Sequence, residues 1–399
     1  MTLTTASEAV TVNREPVKTP IRSAVIGAGG ISAQHLTPLS EMAAGKGGPR
    51  VELVGVADLS PAMGRLAVDR FGAAKAFTDF RAMLDEAKPD VVHVLTPPHT
   101  HAVIAMACLE AGCHVFAEKP VTGTLAEYEP LAEAARDRGL LLTESHNYLF
   151  NEPVRRIHSM VAAGEIGDVV EIETRMQLGL HEPGNPIGDA NLVSPLHRMP
   201  AGAVHDLLTH LIYPVTRWME GVDSACASWT NSAGKAHFRF DDLDAVVIGR
   251  AGDRASVASG EPGHQVNARI RFGVAGRPEE FIYRVVGTKG WVETNLFQPY
   301  LRRVLVERPG PEKLASLVNH AWNGMGLVMS SVTGFSDKLM QRTPYHGLHA
   351  MVRETYRALA SGKPAPVEEA DIRRSLGLID LLVAQQQTGG GAAREGDAA

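Results

Sequence analysis

The sequence predicts an α/β protein in two parts: an N-terminal Rossmann domain built on a doubly wound parallel sheet, then a C-terminal α+β domain with a large, mostly antiparallel open sheet. Three observations predict it. Between Ile21 and about Ser145, short apolar runs alternate with longer helix-like segments, as parallel strands and crossover helices do. A glycine-rich turn, Gly27 to Gly30, closes the first of these runs. After Asn147 the texture changes to runs in which apolar and polar residues alternate, the pattern of half-buried antiparallel strands.

Residues 1–20, "MTLTTASEAVTVNREPVKTP", lack the apolar centre of a signal peptide and are expected to be a disordered tail. The Rossmann domain is expected over 21–146, with strands at "SAVIGAG", "VELVGVAD", "VVHVLTP", "HVFAEKP" and "LLLTES". One helix opens at Thr124 with Glu127 three residues on, a capping-box spacing, and another carries Val103, Ile104, Ala107 and Cys108 on one face. The second domain is expected over 147–387. A helix with Ile157, Met160 and Val161 leads into "VVEIETRMQL", "DAVVIGRA", "VNARIRF", "EFIYRVV" and "WVETNL", and a helical region around "GLHAMVRETYRALASG" and "RRSLGLIDLLVAQQQ" closes it. Residues 388–399, rich in Gly and Ala, are expected to be a second disordered tail. No internal repeat is present.

With 39 Lys and Arg against 45 Asp and Glu, the chain of 399 residues carries a formal charge of -6. It shows no basic patch interleaved with aromatics, so nucleic acid is not an expected partner. No apolar run reaches spanning length, so neither is a membrane, and a cytoplasmic location follows. Cys108, Cys113 and Cys226 match neither a disulfide framework nor a zinc spacing; they read as reduced core residues, and no metal is expected.

Gly27 and Gly29 follow an apolar strand and precede a helix, where tight turning and close approach of a pyrophosphate need residues without side chains. Ser32 stands at the third glycine position and is small enough for close helix–strand packing. Such a turn also fits a plain strand-to-helix corner. Asp58 favours the cofactor reading: it ends the next strand, where a carboxylate accepts hydrogen bonds from an adenosine ribose and repels a 2′-phosphate. Leu59 and Ser60 follow it with no adjacent cation, although Arg65 is near in sequence, so NAD is expected in preference to NADP.

In an open parallel sheet ligands sit beyond the carboxyl ends of the strands, which places "TPPHTH" (Thr96 to His101) and "AEKP" (Ala117 to Pro120) on the rim that carries Gly27. A lysine at the end of a buried strand, as Lys119 is, costs free energy unless it is paired or used. His99 and His101 read first as the turn that starts a helix, and His93 as a core residue. Asp206 and His210 are four residues apart, on one face of a helix, where they fit a helix-bracing pair or a carboxylate-oriented base.

The order "GAGGIS", "VAD", "TPPHTH", "EKP", "GEIGDV" from Gly164, "DLLTH" from Asp206 and "GTKGWVE" from Gly287 resembles the Gfo/Idh/MocA family of sugar and cyclitol oxidoreductases over residues 21 to 385. The resemblance implies an enzyme that moves a hydride between NAD(P) and a carbinol carbon of a sugar, glycoside or cyclitol. It implies catalytic roles for Lys119, Asp206 and His210. Cofactor contacts are implied at Gly27, Gly29, Gly30, Ile31, Ser32, Asp58, Thr96, Pro97, His101, Glu118 and Lys119, and substrate contacts at Lys119, Tyr148, Arg198, Asp206 and His210. It further implies a cis Lys119–Pro120 peptide and a homodimer or homotetramer formed through the open sheet. Glu118 either braces its strand or faces the nicotinamide.

The chain departs from the family in two places. Pro200, Ala201 and Gly202 stand where a run of glycines is usual, and Leu149 stands where relatives often carry arginine, a loss that Arg198 could offset. Two rival functions remain at this level: a redox-neutral glycosidase that keeps its cofactor, and a non-catalytic dinucleotide-binding regulator. Retention of Lys119 and His210 speaks against the second.

Overall fold

The computed structural model describes residues 14–182, 184–185, 187–189, 194–274, 276–306, 314–339 and 345–387. The tail expected over 388–399, and residues 1–13 of the other, lie outside them. The described chain forms two compact units. The first runs to Asn151 and takes back the stretch from Tyr345 through Arg373; the second begins at Glu152 and takes the chain from Arg374 on.

The first unit alternates strand and helix without exception: β1 (Ile21–Ile26), α1 (Ser32–Ala43), β2 (Val51–Ala57), α2 (Pro61–Phe71), β3 (Ala76–Phe77), α3 (Phe80–Ala87), β4 (Val91–Val94), α4 (His101–Glu110), β5 (His114–Ala117), α5 (Leu125–Asp137) and β6 (Leu142–Glu144). The sheet order is β3-β2-β1-β4-β5-β6 and every pairing is parallel, which is the doubly wound arrangement of a Rossmann domain. Its central strands are buried on both faces and mostly apolar because helices cover both; Val115, Phe116 and Ala117 of β5 are fully buried.

Helix boundaries follow local chemistry. Ser60 caps α2, with Pro61 at its first position, and Gly72 ends it at φ 76°. Thr124 caps α5 by accepting the Glu127 amide, and Glu127 reaches back to the Gly123 amide at 2.9 Å.

In the second unit α6 (Glu152–Ala162) precedes β7 (Val169–Gln177), α7 (Ala203–Thr216), β8 (Met219–Thr230), β9 (Asp242–Ala251), β10 (Gln265–Gly273), β11 (Glu280–Gly287), β12 (Gly290–Asn295), β13 (Arg302–Leu305) and α8 (Ala315–Leu339). The seven strands are ordered β13-β12-β11-β7-β10-β9-β8, antiparallel except where β7 meets β10. Helix α7 packs on β7, β8 and β10. Alternate residues such as Ala245 and Val247 are buried while Asp244 and Val246 face outward.

Several expectations change. Residues 14–20 are not a free tail: Arg14 pairs with Glu368 and the Val17 amide donates to Leu359. Helix α9 (His346–Ser361), expected in the second domain, belongs to the first unit, where it packs on α1. Helix α10 (Glu369–Ala384) starts in the first unit and ends in the second. Cys108 and Cys113 are buried, and burial pushes the Cys113 thiol up to about 12, but Cys226 is exposed on β8 rather than in a core. Among the described residues no helix is long and apolar enough to cross a membrane, and no group of three or more His, Cys, Asp or Glu is arranged to hold a metal ion.

Candidate active site

The carboxyl ends of β1, β2, β4 and β5 place the expected nucleotide-binding residues on one rim of the first unit. At Gly27 the chain turns with φ 97°, and a Cβ there would lie 2.8 Å from the backbone carbon of Leu95. Only glycine fits. At Gly29 and Gly30 a Cβ would meet nothing within 4 Å, so open space stands above the turn. Ile31 leads into α1, and Ser32 closes the turn by donating its hydroxyl to the Gly29 carbonyl at 2.7 Å. The result is a helix N-terminus behind bare backbone, the arrangement that accepts a pyrophosphate.

Asp58, one residue past β2, accepts the Ala28 amide at 2.7 Å and the Ser60 amide at 2.8 Å. These bonds use about two of the roughly four acceptor positions of a carboxylate. Two remain for ribose hydroxyls. The residues present therefore fit NAD: bare glycines for its phosphates and an anion for its ribose.

After β4, the Thr100 hydroxyl donates to Thr96 Oγ1 at 2.7 Å, and Pro97 caps a short 3-10 turn. His101 is buried, and its ring nitrogens lie 2.8 Å from the Pro120 carbonyl and 2.6 Å from the Thr96 carbonyl. It is more than the turn residue expected: it clips the Thr96 loop to the turn holding Lys119. The Lys119–Pro120 peptide is cis. Glu144 holds the far side of that turn, accepting the Val121 amide at 2.6 Å, and pairs with His146 at 2.7 Å.

Glu118 braces. Its Oε1 meets His35 Nε2 at 2.9 Å and its Oε2 accepts the Lys119 amide at 3.2 Å. Burial alone would raise this carboxyl; the hydrogen bond from His35, the positive charge of Lys119 and a bond from Ser145 hold it below the ordinary carboxylate range. Tyr148 lies in a 3-10 turn after β6, where burial pushes its hydroxyl up to about 12. Leu149 beside it is buried, so the position that often holds arginine is a packing position here.

Asp206 and His210 lie in the second unit on α7, a turn apart as their spacing requires. His210 Nδ1 lies 3.1 Å from the hydroxyl of Tyr213, a residue that the sequence reading passes over. Gly202 adopts φ 59° just before the helix, so a glycine persists at the one position of the divergent segment whose backbone demands it. Arg198 is exposed at the end of a 3-10 turn, Pro195–Arg198.

Residues 21–146 match the oxidoreductase family described as having an NAD-binding Rossmann fold, and residues 154–293 match the GFO/IDH/MocA C-terminal domain. The chain is 28% identical over 254 residues to a dTDP-3,4-didehydro-2,6-dideoxy-alpha-D-glucose 3-reductase of Streptomyces violaceoruber, covering 64% of this chain and 67% of that protein. It is 30% identical over 171 residues to a levoglucosan dehydrogenase of Pseudarthrobacter phenanthrenivorans, covering 43% of each. With the D-glucoside 3-dehydrogenase of Escherichia coli the figures are 29% identity, 41% of this chain and 46% of that one. The matched stretch thus spans less than half of the last two relatives. Among solved structures, an NAD binding oxidoreductase from Klebsiella pneumoniae superposes with a TM-score of 0.72 at 18% identity over 92% of this chain and 97% of that one. A levoglucosan dehydrogenase complex with NADH and L-sorbose gives 0.70 at 18% identity and the same coverages. These likenesses show the fold.

Proposed function

Because the chain belongs to the Gfo/Idh/MocA oxidoreductase family, we propose that it moves a hydride between NAD and a carbinol carbon of a sugar, glycoside or cyclitol. The observation that carries this reading is the shared rim, where bare Gly29 and Gly30, the Asp58 carboxylate and Lys119 stand at the ends of neighbouring strands. The Streptomyces, Pseudarthrobacter and Escherichia relatives named above are all named for reactions on sugars or glycosides.

NAD supplies the hydride acceptor, and the chain's residues do the rest. His210 takes the hydroxyl proton of the substrate as the carbonyl forms, its Nδ1 side held by Tyr213. Lys119 carries a positive charge toward the oxygen on which negative charge develops, so it stabilises the transition state more than the alcohol. Asp206 orients the imidazole or a neighbouring hydroxyl, and Tyr148 contributes a hydroxyl to the sugar. The protein works in the cytoplasm, as a homodimer or homotetramer.

The test is purified protein with NAD or NADP against free sugars, glycosides, nucleotide sugars and inositols, read by absorbance of the reduced cofactor. Net reduction with at least one class is expected. With a good substrate, Lys119→Met keeps NAD affinity and lowers turnover by about 10²- to 10³-fold, a typical loss for one stabilising donor. Cleavage of a glycoside without net NADH would instead assign the redox-neutral reaction, and parental turnover in the variant would remove Lys119 from the catalytic set.

A further inference from the structure

Behind Lys119 lies a line of polar side chains that the reaction above does not use. From Glu118 Oε1 the contacts run to His35 Nε2 at 2.9 Å, from His35 Nδ1 to His93 Nδ1 at 2.9 Å, from His93 Nε2 to the Tyr356 hydroxyl at 3.0 Å, and from there to the Ser23 hydroxyl at 2.8 Å. Ser23, His35, His93 and Tyr356 are all fully buried. They come from β1, α1, β4 and α9, so the line ties four elements of the first unit together. His93 stacks on Phe116 with ring centroids 4.9 Å apart, and His35 meets the same ring edge-on at 5.4 Å. An apolar interior admits such a line only when every member is satisfied.

With both imidazoles neutral, proton counting fixes its direction. The Glu118 carboxylate only accepts, so His35 must donate from Nε2. A neutral His35 then offers Nδ1 as an acceptor, which obliges His93 to donate from its own Nδ1. His93 Nε2 in turn accepts from Tyr356, and Tyr356 accepts from Ser23. Every bond has one donor and one acceptor with both imidazoles neutral. Burial holds His93 far below its ordinary pKa, which agrees with that count. A full reversal satisfies the same bonds only with Glu118 protonated, and Glu118 is held below the usual carboxylate range; a reversal beyond His35 alone needs His35 as an imidazolium.

We propose that His35, His93 and Tyr356 are positioning residues for Lys119: their one-way hydrogen bonds, running from Ser23 to Glu118, hold the Glu118 carboxylate as an anion in a single orientation beside the lysine. The proposal rests on the reading of Lys119 as the group that stabilises the alkoxide. It explains why the first unit takes back a helix from the far end of the chain, since α9 supplies the donor that sets the His93 tautomer. The charged and titratable groups that bear on the line are Glu118 and Lys119 at the end of β5, His349 on α9 facing His35, and Asp90 before β4 facing Tyr356. Arg353, Glu41 and His346 surround His349 in turn.

Nitrogen-15 spectra of the histidine-labelled full chain with NAD bound, between pH 6 and 9, test the line without reference to catalysis. The expected result is a neutral His35 protonated on Nε2 and a neutral His93 protonated on Nδ1 throughout. An imidazolium at either ring, or the opposite tautomers, overturns the proposal. The second arm is kinetic. His35→Gln keeps an N–H donor near the position of Nε2, whereas His35→Leu removes it. His35→Leu is expected to lower kcat about 10- to 100-fold, the usual scale for a partner that orients a reacting group, with NAD affinity and KM within twofold, and His35→Gln to recover most of the loss. Equal kcat in the two variants, parental or depressed, overturns the positioning role. Parental turnover in Lys119→Met with the tautomers as expected would fell the catalytic reading and leave the hydrogen-bond order standing.

Discussion

The Asp58 carboxylate accepts the Ala28 amide at 2.7 Å, so the residue expected to meet the cofactor's ribose also ties the end of β2 to the glycine turn after β1. An anion fixed there favours the free ribose hydroxyl of NAD and opposes a 2′-phosphate. NAD is expected to bind more tightly than NADP. Asp58→Ser combined with Leu59→Arg narrows or reverses the gap, because Leu59 is 92% exposed and an arginine there adds charge without disturbing the core. Titration of both nucleotides by fluorescence checks this; equal affinities in the parent protein would sink it.

The glycines of that turn separate a folding role from a binding role. At Gly27 an alanine meets both a positive φ and the Leu95 backbone, so Gly27→Ala is expected to lower the melting temperature and abolish NAD binding together. Gly29→Ala meets no protein atom within 4 Å. Its melting temperature should stay within about 2 °C of the parent, a change under roughly 1 kcal/mol, while NAD affinity falls at least tenfold. Unchanged affinity in Gly29→Ala would mean that no pyrophosphate approaches this backbone.

The strands that sequence alone reveals are those buried on two faces or alternating cleanly. Strand β3 has two residues, too few for any periodicity, and β13 has four with no buried face. Strand β8 spans twelve residues but carries register shifts near Gly221 and Ser224, which break the alternation that would betray it. On the rim, the placement of Gly27, Asp58 and Lys119 was legible because each follows a short apolar run that ends a strand. His35 and Tyr356 were not. Their meaning depends on a hydrogen bond to a partner 83 residues away in one case and 263 in the other, and no local spacing encodes it.

The outward face of the seven-stranded sheet is held by cross-strand ion pairs, including Arg284 with Glu293 at 2.6 Å, Arg175 with Glu280 at 3.0 Å and Arg250 with Asp223 at 3.3 Å. Trp291 lies among them, with Arg284 4.7 Å and Arg302 5.8 Å from its ring centre. Arginine and tryptophan are enriched at protein interfaces, and an ion-paired surface docks a second copy of itself without leaving buried charges uncompensated. Sedimentation is therefore expected to give a dimer or tetramer, and Trp291→Glu to shift it toward monomer. A parent protein that sediments only at the 42.8 kDa of one chain would refute the assembly.

A final prediction concerns acid. His114 opens β5, where its Nδ1 accepts the Leu141 amide at 2.8 Å, and burial, helped by the charge of Arg14, lowers its pKa from 6.5 to about 4. The unfolded chain binds a proton at this histidine near pH 6.5 and the folded chain does so only near pH 4, so the stabilisation is full above 6.5 and drains away as the pH falls to 4. The shift corresponds to about 3 kcal/mol at the acid end, to which the buried His93 adds in the same direction. Denaturant unfolding at pH 7.5 and 4.5 should show that loss. His114→Asn keeps an acceptor for the Leu141 amide but cannot bind the proton, so its stability should fall less steeply over the same range. Parallel pH profiles for the two proteins would show that His114 does not carry the effect.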